Sequence, residues 1–316
     1  MSAETVPATL ATGSARAATP SIVVIWNAGA GTKGGVPVTS TTDEELRAAM
    51  QAHGLGDRLV RTDTPAVAQA AARLAVAEGY AVVVAAGGDG TVGAVADVLL
   101  DTTTALGILP LGSVMNIARS LGLPRDLGPA AAIIAEGHVR SIDVGTTRAG
   151  PFYEAGSVGM NAAMFREAQR FDDGDPWSIL RTIWVALRYR PARMQLQLDD
   201  RIVRTRALMV SVANGPYTGL GMRVAPDARM DDGLFDVRVF RGFSKWELVR
   251  HLGSIAFGRR HYDPHVSTYR SRRVGVTSAH PLPCRADSHD LGMTPVTFSV
   301  RPGALRVVVP GDEARA

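Results

Sequence analysis

Short strand-like runs alternate with glycine-rich turns and helical segments up to about residue 141, and this order constrains the fold more than any other feature of the chain. The runs lie at residues 21–26, 57–62, 80–86 and 106–109. Runs that are apolar throughout are typical of strands buried on both faces. Strands that alternate with helices form a doubly wound parallel sheet, which binds ligands at the carboxyl ends of its strands. The first part of the chain is therefore predicted to be an α/β domain of this class.

The later part of the chain has a different pattern, with short alternating or β-branched runs separated by glycine, proline and aspartate. These runs lie at residues 206–212, 235–240, 273–277, 296–300 and 305–309, with helical segments at 177–190 and 244–258. The pattern indicates a β-rich, sandwich-like domain, and a length of 316 residues suits two domains. The predicted organisation is a disordered tail at 1–20, an α/β domain at 21–145, a β-rich domain at 146–302, and a terminal segment at 303–316 that returns to the first domain.

The turn GGDGT, residues 87–91, supplies what a phosphate site needs. Backbone N–H groups must point into a concavity, and glycine lets the main chain approach a phosphate closely. Asp89 cannot face a phosphate without a cation between them, so its predicted role is to hold Mg²⁺ directly or through water. A tight strand-to-helix turn with an aspartate N-cap is the structural alternative. Because the chain has neither a P-loop lysine motif nor GxGxxG, a Walker-type NTPase and a Rossmann dehydrogenase are disfavoured.

Charge and cysteine content narrow the class of protein. A net charge of +4 and a pI of ≈ 9.6 favour anionic partners, which include nucleotides, acidic lipid headgroups and nucleic acid. The single cysteine, Cys284, excludes an internal disulfide and a thiolate zinc cluster. No apolar run approaches the roughly 18 residues of a membrane span, and residues 1–20 lack the features of a signal peptide. A cytoplasmic protein that contacts membranes at most peripherally is expected.

Five further segments narrow the interpretation of GGDGT, which 6-phosphofructokinase-like, NAD kinase and diacylglycerol/sphingosine kinase families share. They are NAGAG at 27–31, GILPLGSVMNIARSLGLP at 107–124, SIDVG at 141–145, ANGPYTGLGMRVAPDARMDDGLFDV at 213–237 and PGALRVVVP at 302–310. With these segments, the chain resembles the diacylglycerol kinase catalytic family of bacterial lipid kinases. The fourth segment is the longest and most specific, and the resemblance spans residues 22–310.

The resemblance implies an ATP-dependent lipid kinase whose nucleotide site lies on the glycine turns. The residues implied to line the ATP site are Asn27, Ala28, Gly29, Ala30, Gly31, Thr62, Gly87, Gly88, Asp89, Gly90, Thr91, Val92, Gly93, Ala94, Ser113 and Asn116. Asp89, the position of Asn116, and Asp143 are implied to form an acidic network that organises Mg²⁺. A structural Mg²⁺ is implied at the Asp232 carboxylate with the main-chain carbonyls of Arg229 and Leu234, where a simple Asp-Gly turn is the alternative.

Three places depart from the family pattern. The family's Asn-Asp is Met-Asn at residues 115–116, so an acidic member of the magnesium network is replaced by a neutral amide. The family's Asp-Gly-Glu, whose glutamate is taken as proton acceptor, is Asp-Ser-His at 287–289, and Asn161 stands where the family often has aspartate. These changes weaken the expectation of ordinary divalent-metal catalysis.

The predicted catalytic residues are Asp89, Asp287 and His289. A histidine can still accept a proton at neutral pH, so the replacement of the family's glutamate need not abolish proton transfer. The alternatives are that His289 is a solvated turn residue and that Asp287 caps its loop.

Apolar residues recur at helical spacing at Trp177, Leu180, Trp184 and Leu187, with arginines nearby. The stripe predicts either contact with acyl chains or a membrane surface or ordinary core packing. The segment 257–273 is basic with interleaved aromatics, a pattern also seen in RNA binders. Because no nucleic-acid-binding fold accompanies it, the expected partners are a lipid substrate and an anionic membrane surface, without nucleic acid. A homodimer stays open.

The leading hypothesis is transfer of the γ-phosphoryl group of ATP to a lipid hydroxyl in a cleft between the two domains, with Mg²⁺ as cofactor. One alternative is a nucleotide-binding member of the same fold with weak or no kinase activity, because acidic motif positions are replaced. The other is an NAD-kinase-like enzyme, which the segment at 225–237 disfavours.

Overall fold

The computed structural model describes residues 21–29, 32–33, 36–37, 41–172, 177–241 and 266–311. These residues form a ten-stranded sheet, a six-stranded sheet and a two-stranded ribbon, together with helices. The tail predicted at 1–20, the turn residues Ala30 and Gly31, and the helix predicted at 244–258 lie outside the described residues.

The first part of the chain builds the parallel strands of the ten-stranded sheet and the helices that cover them. Its elements are β1 (Ile22–Asn27), β2 (Thr32–Lys33), β3 (Val36–Pro37), α1 (Asp43–Ala52), β4 (Leu59–Thr62), α2 (Pro65–Ala77), β5 (Val82–Gly87), α3 (Asp89–Leu99), β6 (Ala105–Pro110), α4 (Asn116–Ser120), α5 (Leu127–Glu136) and β7 (Val139–Thr147). Strands β4, β1, β5 and β6 are neighbours in this order and run parallel. Helices α2 and α3 pack on one face and α1 and α5 on the other. Burial on both faces explains the continuous apolar sequence of β1, β5 and β6.

The later part of the chain is mostly antiparallel strands. Its elements are β8 (Gly150–Phe152), β9 (Ala155–Gly159), α6 (Met160–Asp172), α7 (Ser178–Arg188), β10 (Ala192–Leu198), β11 (Arg201–Ala207), β12 (Met209–Ala213), β13 (Phe235–Phe240), β14 (Val266–Ser271), β15 (Arg273–Ser278), β16 (Pro283–Ala286), β17 (His289–Met293) and β18 (Val296–Val308). The six-stranded sheet has the order β14-β13-β12-β9-β16-β17. The predicted fold class, an α/β part followed by a β-rich part, is confirmed.

Strand β18 joins the two parts of the chain. It runs parallel to β6, antiparallel to β7, and antiparallel to β15, which leads on to β10 and β11. The ten-stranded sheet therefore passes without a break from the parallel strands to the antiparallel ones.

The single strand predicted at 206–212 is wrong, because the chain changes sheet inside it. Strand β11 ends at Ala207 in the ten-stranded sheet, and β12 begins at Met209 in the six-stranded sheet. Leu208 lies between them, where its N–H donates to the carbonyl of Phe240 at 2.8 Å and its carbonyl accepts from the N–H of Met160 at 3.0 Å. An apolar run shows that a segment is buried, but not that its hydrogen-bond partners change halfway.

Aromatic rings packed against glycines hold the two large sheets together. Phe152 on β8 stacks on Phe235 on β13 with ring centroids 5.7 Å apart, and it meets Phe298 on β18 edge-on at 5.9 Å. A Cβ atom at Gly145 would lie 2.2 Å from the Phe152 ring, and one at Gly156 would lie 2.3 Å from the Phe298 ring. Only glycine leaves room for these rings. Gly145 lies opposite Phe152 within the ten-stranded sheet, whereas Gly156 of the six-stranded sheet faces Phe298 of the ten-stranded sheet.

Gly156→Ala is expected to lower the free energy of unfolding by about 1–3 kcal/mol, the usual cost of forcing extra volume into a packed core. The matched control is Gly128→Ala on α5, where a Cβ meets only His53 Nε2 at 4.0 Å. That change should leave stability unchanged or raise it by up to about 1 kcal/mol, as expected for glycine to alanine in a helix. Urea denaturation of both variants checks the expectation, and equal effects at the two glycines would contradict it.

Candidate active site

Two glycine turns meet at the carboxyl end of the parallel strands. Strand β5 ends at Gly87, Gly88 is the N-cap of α3, and Asp89 is the first residue of that helix. A Cβ atom on Gly112, in the turn after β6, would lie 2.6 Å from the Cα of Gly88. The two turns are therefore in direct backbone contact. A Cβ atom on Gly88 would meet only the Cα of Gly112, at 3.8 Å, whereas one on Gly112 would also lie 2.8 Å from Met115 Sδ.

The turn after β1 is tied to the same helix. The side-chain amide of Asn27 donates to Thr91 Oγ1 at 3.1 Å, and its Oδ1 accepts from the N–H of Gly29 at 2.9 Å. The N–H of Ala28 donates to the carbonyl of Thr62 at 3.3 Å. The structure thus brings together the predicted nucleotide-binding residues of three strand ends.

The remaining predicted nucleotide-binding residues lie on α3 and in the turn after β6. Gly90 and Gly93 belong to the first turns of α3, whereas Val92 and Ala94 point into the core and are buried. Ser113 lies in the turn before α4, and its carbonyl accepts a hydrogen bond from Arg125.

Asp89 uses both oxygens of its carboxylate to hold α4. Oδ2 accepts from the N–H of Asn116 and Oδ1 from the N–H of Ile117, each at 3.1 Å. Burial raises the pKa of Asp89, while these backbone donors and the charge of Arg119 act in the opposite direction. Asp89 is therefore not the N-cap of its own helix, which was the structural alternative, because Gly88 holds that position. Its carboxylate instead binds the first two N–H groups of α4.

Glu154 is a site residue that the sequence interpretation missed. It lies between β8 and β9 and is buried, and its Oε2 accepts from the side-chain amide of Asn116 at 2.8 Å. Burial raises the pKa of Glu154 well above its usual range, and the charges of Asp287 and Asp89 add to that effect. The only signal in the sequence was one charged residue in the otherwise apolar or small run at 151–160.

Asp287 anchors the backbone segment that carries Glu154. Its carboxylate accepts three N–H groups, from Tyr153 at 2.6 Å, Glu154 at 2.9 Å and Ala155 at 3.1 Å. Burial raises the pKa of this carboxyl too, but the three donors and the Arg285 guanidinium oppose the rise. Since Asp287 has three donors and Glu154 has one side-chain donor, a charge shared by the two rests mainly on Asp287 as long as no cation is bound.

His289 lies on β17 with its side chain exposed. Burial raises the pKa of Asp97, and a positive charge on the nearby His289 would lower it. Asp97 Oδ1 accepts a hydrogen bond from the Tyr153 hydroxyl at 2.6 Å. The two predicted catalytic residues of the β16–β17 hairpin therefore have different surroundings. Asp287 is bound by the backbone, and His289 is accessible.

Asp143, like Asp89, accepts two backbone N–H groups, but they come from the later part of the chain. Its carboxylate accepts from the N–H of Gly233 at 2.6 Å and of Gly303 at 2.9 Å, so it joins the DDGL turn to β18. Asp232, in that turn, accepts from the N–H of Leu234 at 3.0 Å and forms an ion pair with Arg270.

The acidic side chains among the predicted metal residues do not cluster in the part of the chain that the structure describes. Arg229 pairs through its side chain with Asp231 at 3.0 Å. Within the described ranges, no three His, Cys, Asp or Glu side chains converge closely enough to hold an ion. A cation at this edge would need further oxygen ligands from elsewhere, such as the phosphates of a nucleotide.

Comparison with known proteins gives matches over both parts of the chain. The family model described as "Diacylglycerol kinase catalytic domain" matches residues 21–147, and that described as "YegS C-terminal NAD kinase beta sandwich-like domain" matches residues 157–309. A protein of Chromohalobacter salexigens named "Probable lipid kinase YegS-like" is 30% identical over 251 residues, which cover 77% of this chain and 80% of that protein. The diacylglycerol kinase of Bacillus subtilis is 26% identical over 258 residues, with 77% and 82% covered.

A solved structure shows the same fold. The crystal structure of a diacylglycerol kinase from Bacillus anthracis superposes with a TM-score of 0.71 at 18% identity, and the match covers 92% of this chain and 97% of that one.

Glu154→Gln is expected to become progressively more stable than the wild type as pH rises from about 5 to about 8. The folded-state pKa of Glu154 is raised above the ordinary 4.5. The protonated carboxyl therefore contributes stability below 4.5 that is lost as pH rises through the folded-state pKa. Glutamine keeps an acceptor for Asn116 but never ionises.

Urea denaturation without added metal, repeated across this pH range, measures the difference in unfolding free energy. The control is Glu167→Gln on α6, whose carboxylate pairs with Arg181 at 3.2 Å. A constant difference between Glu154→Gln and the wild type at all pH values would contradict the expectation.

Proposed function

We propose that this chain, which belongs to the diacylglycerol kinase and YegS-like lipid kinase family, transfers the γ-phosphoryl group of ATP to the hydroxyl group of a lipid. Family membership, expected from the sequence segments, is confirmed and makes the chain a kinase-type enzyme. The observation that carries the finer proposal is the contact between the Gly88 and Gly112 turns, with Asp89 opening α3 beside them. Phosphate oxygens can approach the backbone N–H groups at Gly88 and Gly90 because no side chain lies within 4 Å of where a Cβ atom would be at either glycine.

Mg²⁺ is the cation proposed to accompany the nucleotide. Asn116 is 1% exposed, and its Oδ1 has no hydrogen-bond partner among the described residues. That oxygen and the Asp89 carboxylate suit Mg²⁺, which commonly binds one or two carboxylates together with substrate phosphates. When bound, the ion would neutralise charge on the transferring phosphoryl group. The second site implied at Asp232 fits less well, since Arg270 already neutralises that carboxylate.

The proton of the lipid hydroxyl needs an acceptor when its oxygen bonds to the γ-phosphorus and the bond to the ADP oxygen breaks. We assign that role to His289, because it is exposed and lies two residues after Asp287, whose carboxylate binds the N–H of Glu154. Asp287 is assigned the positioning of residues 153–155, because three backbone donors occupy its carboxylate. Most of the catalysis would then be positioning and charge neutralisation.

The wild type is expected to transfer radiolabel from γ-labelled ATP to at least one lipid of a panel of diacylglycerol, phosphatidylglycerol, ceramide and sphingosine. Asp89→Asn should reduce the rate by roughly 10²-fold or more, the size seen when electrostatic stabilisation of a transition state is removed. Asp101→Asn is the control, because Asp101 is an exposed aspartate that pairs with Arg301.

Calorimetry of ATP binding, and NAD as an additional acceptor in the transfer assay, separate the alternatives. Nucleotide binding by calorimetry without transfer to any lipid would favour a binding protein, in keeping with the amide at position 116. Transfer to NAD would favour an NAD-kinase-like enzyme. A folded wild type that binds no ATP would overturn all three readings.

The helix pair α6–α7 is proposed to contact an anionic membrane surface. Apolar side chains on α7 are largely exposed: Trp177 67%, Leu180 57%, Ile183 52%, Trp184 58% and Leu187 41%. Among the described residues, the apolar stripe is therefore not packed in a core, which was the alternative interpretation. The Arg188 guanidinium lies 4.8 Å from the Trp184 ring centroid, and tryptophan with arginine is typical of helices that lie in a membrane interface.

Helix α6 contacts the β16–β17 hairpin, which carries Asp287 and His289. Helix α6 follows β9 directly, and the Arg285 guanidinium of β16 lies 3.6 Å from the Phe165 ring centroid on α6. Arg166 on α6 also binds Asp290 of β17 at 2.6 Å. Among the described residues, no helix is both long and apolar enough to cross a bilayer.

Trp177→Ala combined with Trp184→Ala is expected to weaken binding to phosphatidylglycerol-containing vesicles by about 10-fold or more, because the two rings together would bury apolar area worth over about 1.4 kcal/mol. Wild-type binding should also fall as salt rises, through screening of the arginines. Leu74→Ala on α2, at a residue that is 64% exposed, is the control. Equal binding to neutral and anionic vesicles at low salt, or unchanged binding of the tryptophan variant, would contradict the assignment.

A further inference from the structure

The orientation of the Asn116 side-chain amide is fixed by two acceptors. Its Nδ2 donates to the carbonyl of Gly219 and to Glu154 Oε2, both at 2.8 Å. A flipped amide would turn Oδ1 toward the Gly219 carbonyl, which can only accept, so the orientation follows from the contacts. Oδ1 is consequently the atom that stays buried without a partner among the described residues.

A buried acceptor without a donor is costly and is uncommon in native structures. The same residue touches two carboxyl groups, since its backbone N–H donates to Asp89 and its side chain donates to Glu154. The unpaired oxygen thus belongs to the residue that connects these two acids, which are 65 positions apart in the chain. An oxygen in such a place is suited to a cation, or to a water that a cation holds.

We propose that Glu154 supplies the negative charge that position 116 lacks, so that Asp89, Glu154 and the amide oxygen of Asn116 form one oxygen-lined subsite for the divalent cation that accompanies the nucleotide. This inference rests on the proposed function and names residues for its cation. It assigns the acid of the network to a residue outside every segment that carries the family resemblance. Two carboxylates and one amide also agree with the lack of a three-carboxylate cage among the described residues.

The inference makes Asn116 and Glu154 a matched pair. Aspartate at 116 would put a carboxylate oxygen in the place of Nδ2, within hydrogen-bond distance of both the Glu154 carboxylate and the Gly219 carbonyl. Like charges and acceptors that meet without a proton between them repel. A change at 116 that matches the family motif should therefore harm this chain unless Glu154 changes with it.

The experiment compares Glu154→Gln, Asn116→Asp and the double variant with the wild type and with the Glu167→Gln control. Binding of Mn²⁺ in the presence of a non-hydrolysable ATP analogue is measured by electron paramagnetic resonance. The thermal midpoint without metal is recorded for each variant, and the Mg²⁺ concentration for half-maximal lipid phosphorylation is determined. Glu154→Gln should stay folded and weaken cation binding by roughly 10–100-fold, as for residues that support a metal site.

Asn116→Asp alone should lower the thermal midpoint, and adding Glu154→Gln should restore both that midpoint and part of the cation affinity. Unchanged cation affinity in Glu154→Gln, or effects of the two changes that simply add in the double variant, would overturn the inference. A wild type that binds Mn²⁺ and nucleotide through Glu154 but phosphorylates no lipid would overturn the proposed function and leave the inference standing.

Discussion

Partial or complete burial of carboxyl groups is the constraint on which the rest of this structure depends. A buried carboxylate is costly unless hydrogen bonds or a positive charge compensate it. Asp89 finds its donors on α4, Asp143 finds them at the DDGL turn and beside β18, and Asp287 finds them on residues 153–155. Each acid thus holds a segment other than its own, and together they fix how the glycine turns face the β-rich part of the chain.

Much of the fold could be predicted because strands that are buried on both faces have continuous apolar sequences. The continuous apolar runs of β1, β5 and β6 and the glycine turns after them identified the parallel sheet and its ligand-binding edge. The contact of Asn27 with Thr91 follows from that topology alone. The change of sheet at Leu208 could not be foreseen, since a buried run has the same composition whichever sheet its neighbours belong to. The stripe on α7 is a similar case, because helical spacing is the same for a face that meets the core and one that meets solvent.

The site was predictable only where a motif is local. GGDGT and the turn after β1 are contiguous segments, and they meet as expected of neighbouring strand ends. Glu154 has no such signal, because its role arises from contact with Asn116, 38 positions away. The sequence also could not separate Asp287 from His289. They are two positions apart, yet one is bound by three N–H groups and the other is exposed.

Counting the donors at each acid distinguishes Glu154 from the other acids, although it does not separate Asp89 from Asp143, since the oxygens of both accept one backbone N–H each. The oxygens of Asp143 each accept a backbone N–H, and those of Asp287 accept three between them, so these groups are largely satisfied by the fold. Glu154 accepts one side-chain donor and lies beside other acids, so it holds spare acceptor capacity where negative charge is most costly. A bound cation stabilises such a carboxylate most, because it offsets the repulsion between neighbouring acids, which burial strengthens. In this arrangement Asn116 is neutral and Glu154 carries the negative charge. The loss of an acid from the motif therefore does not by itself remove that charge from the site.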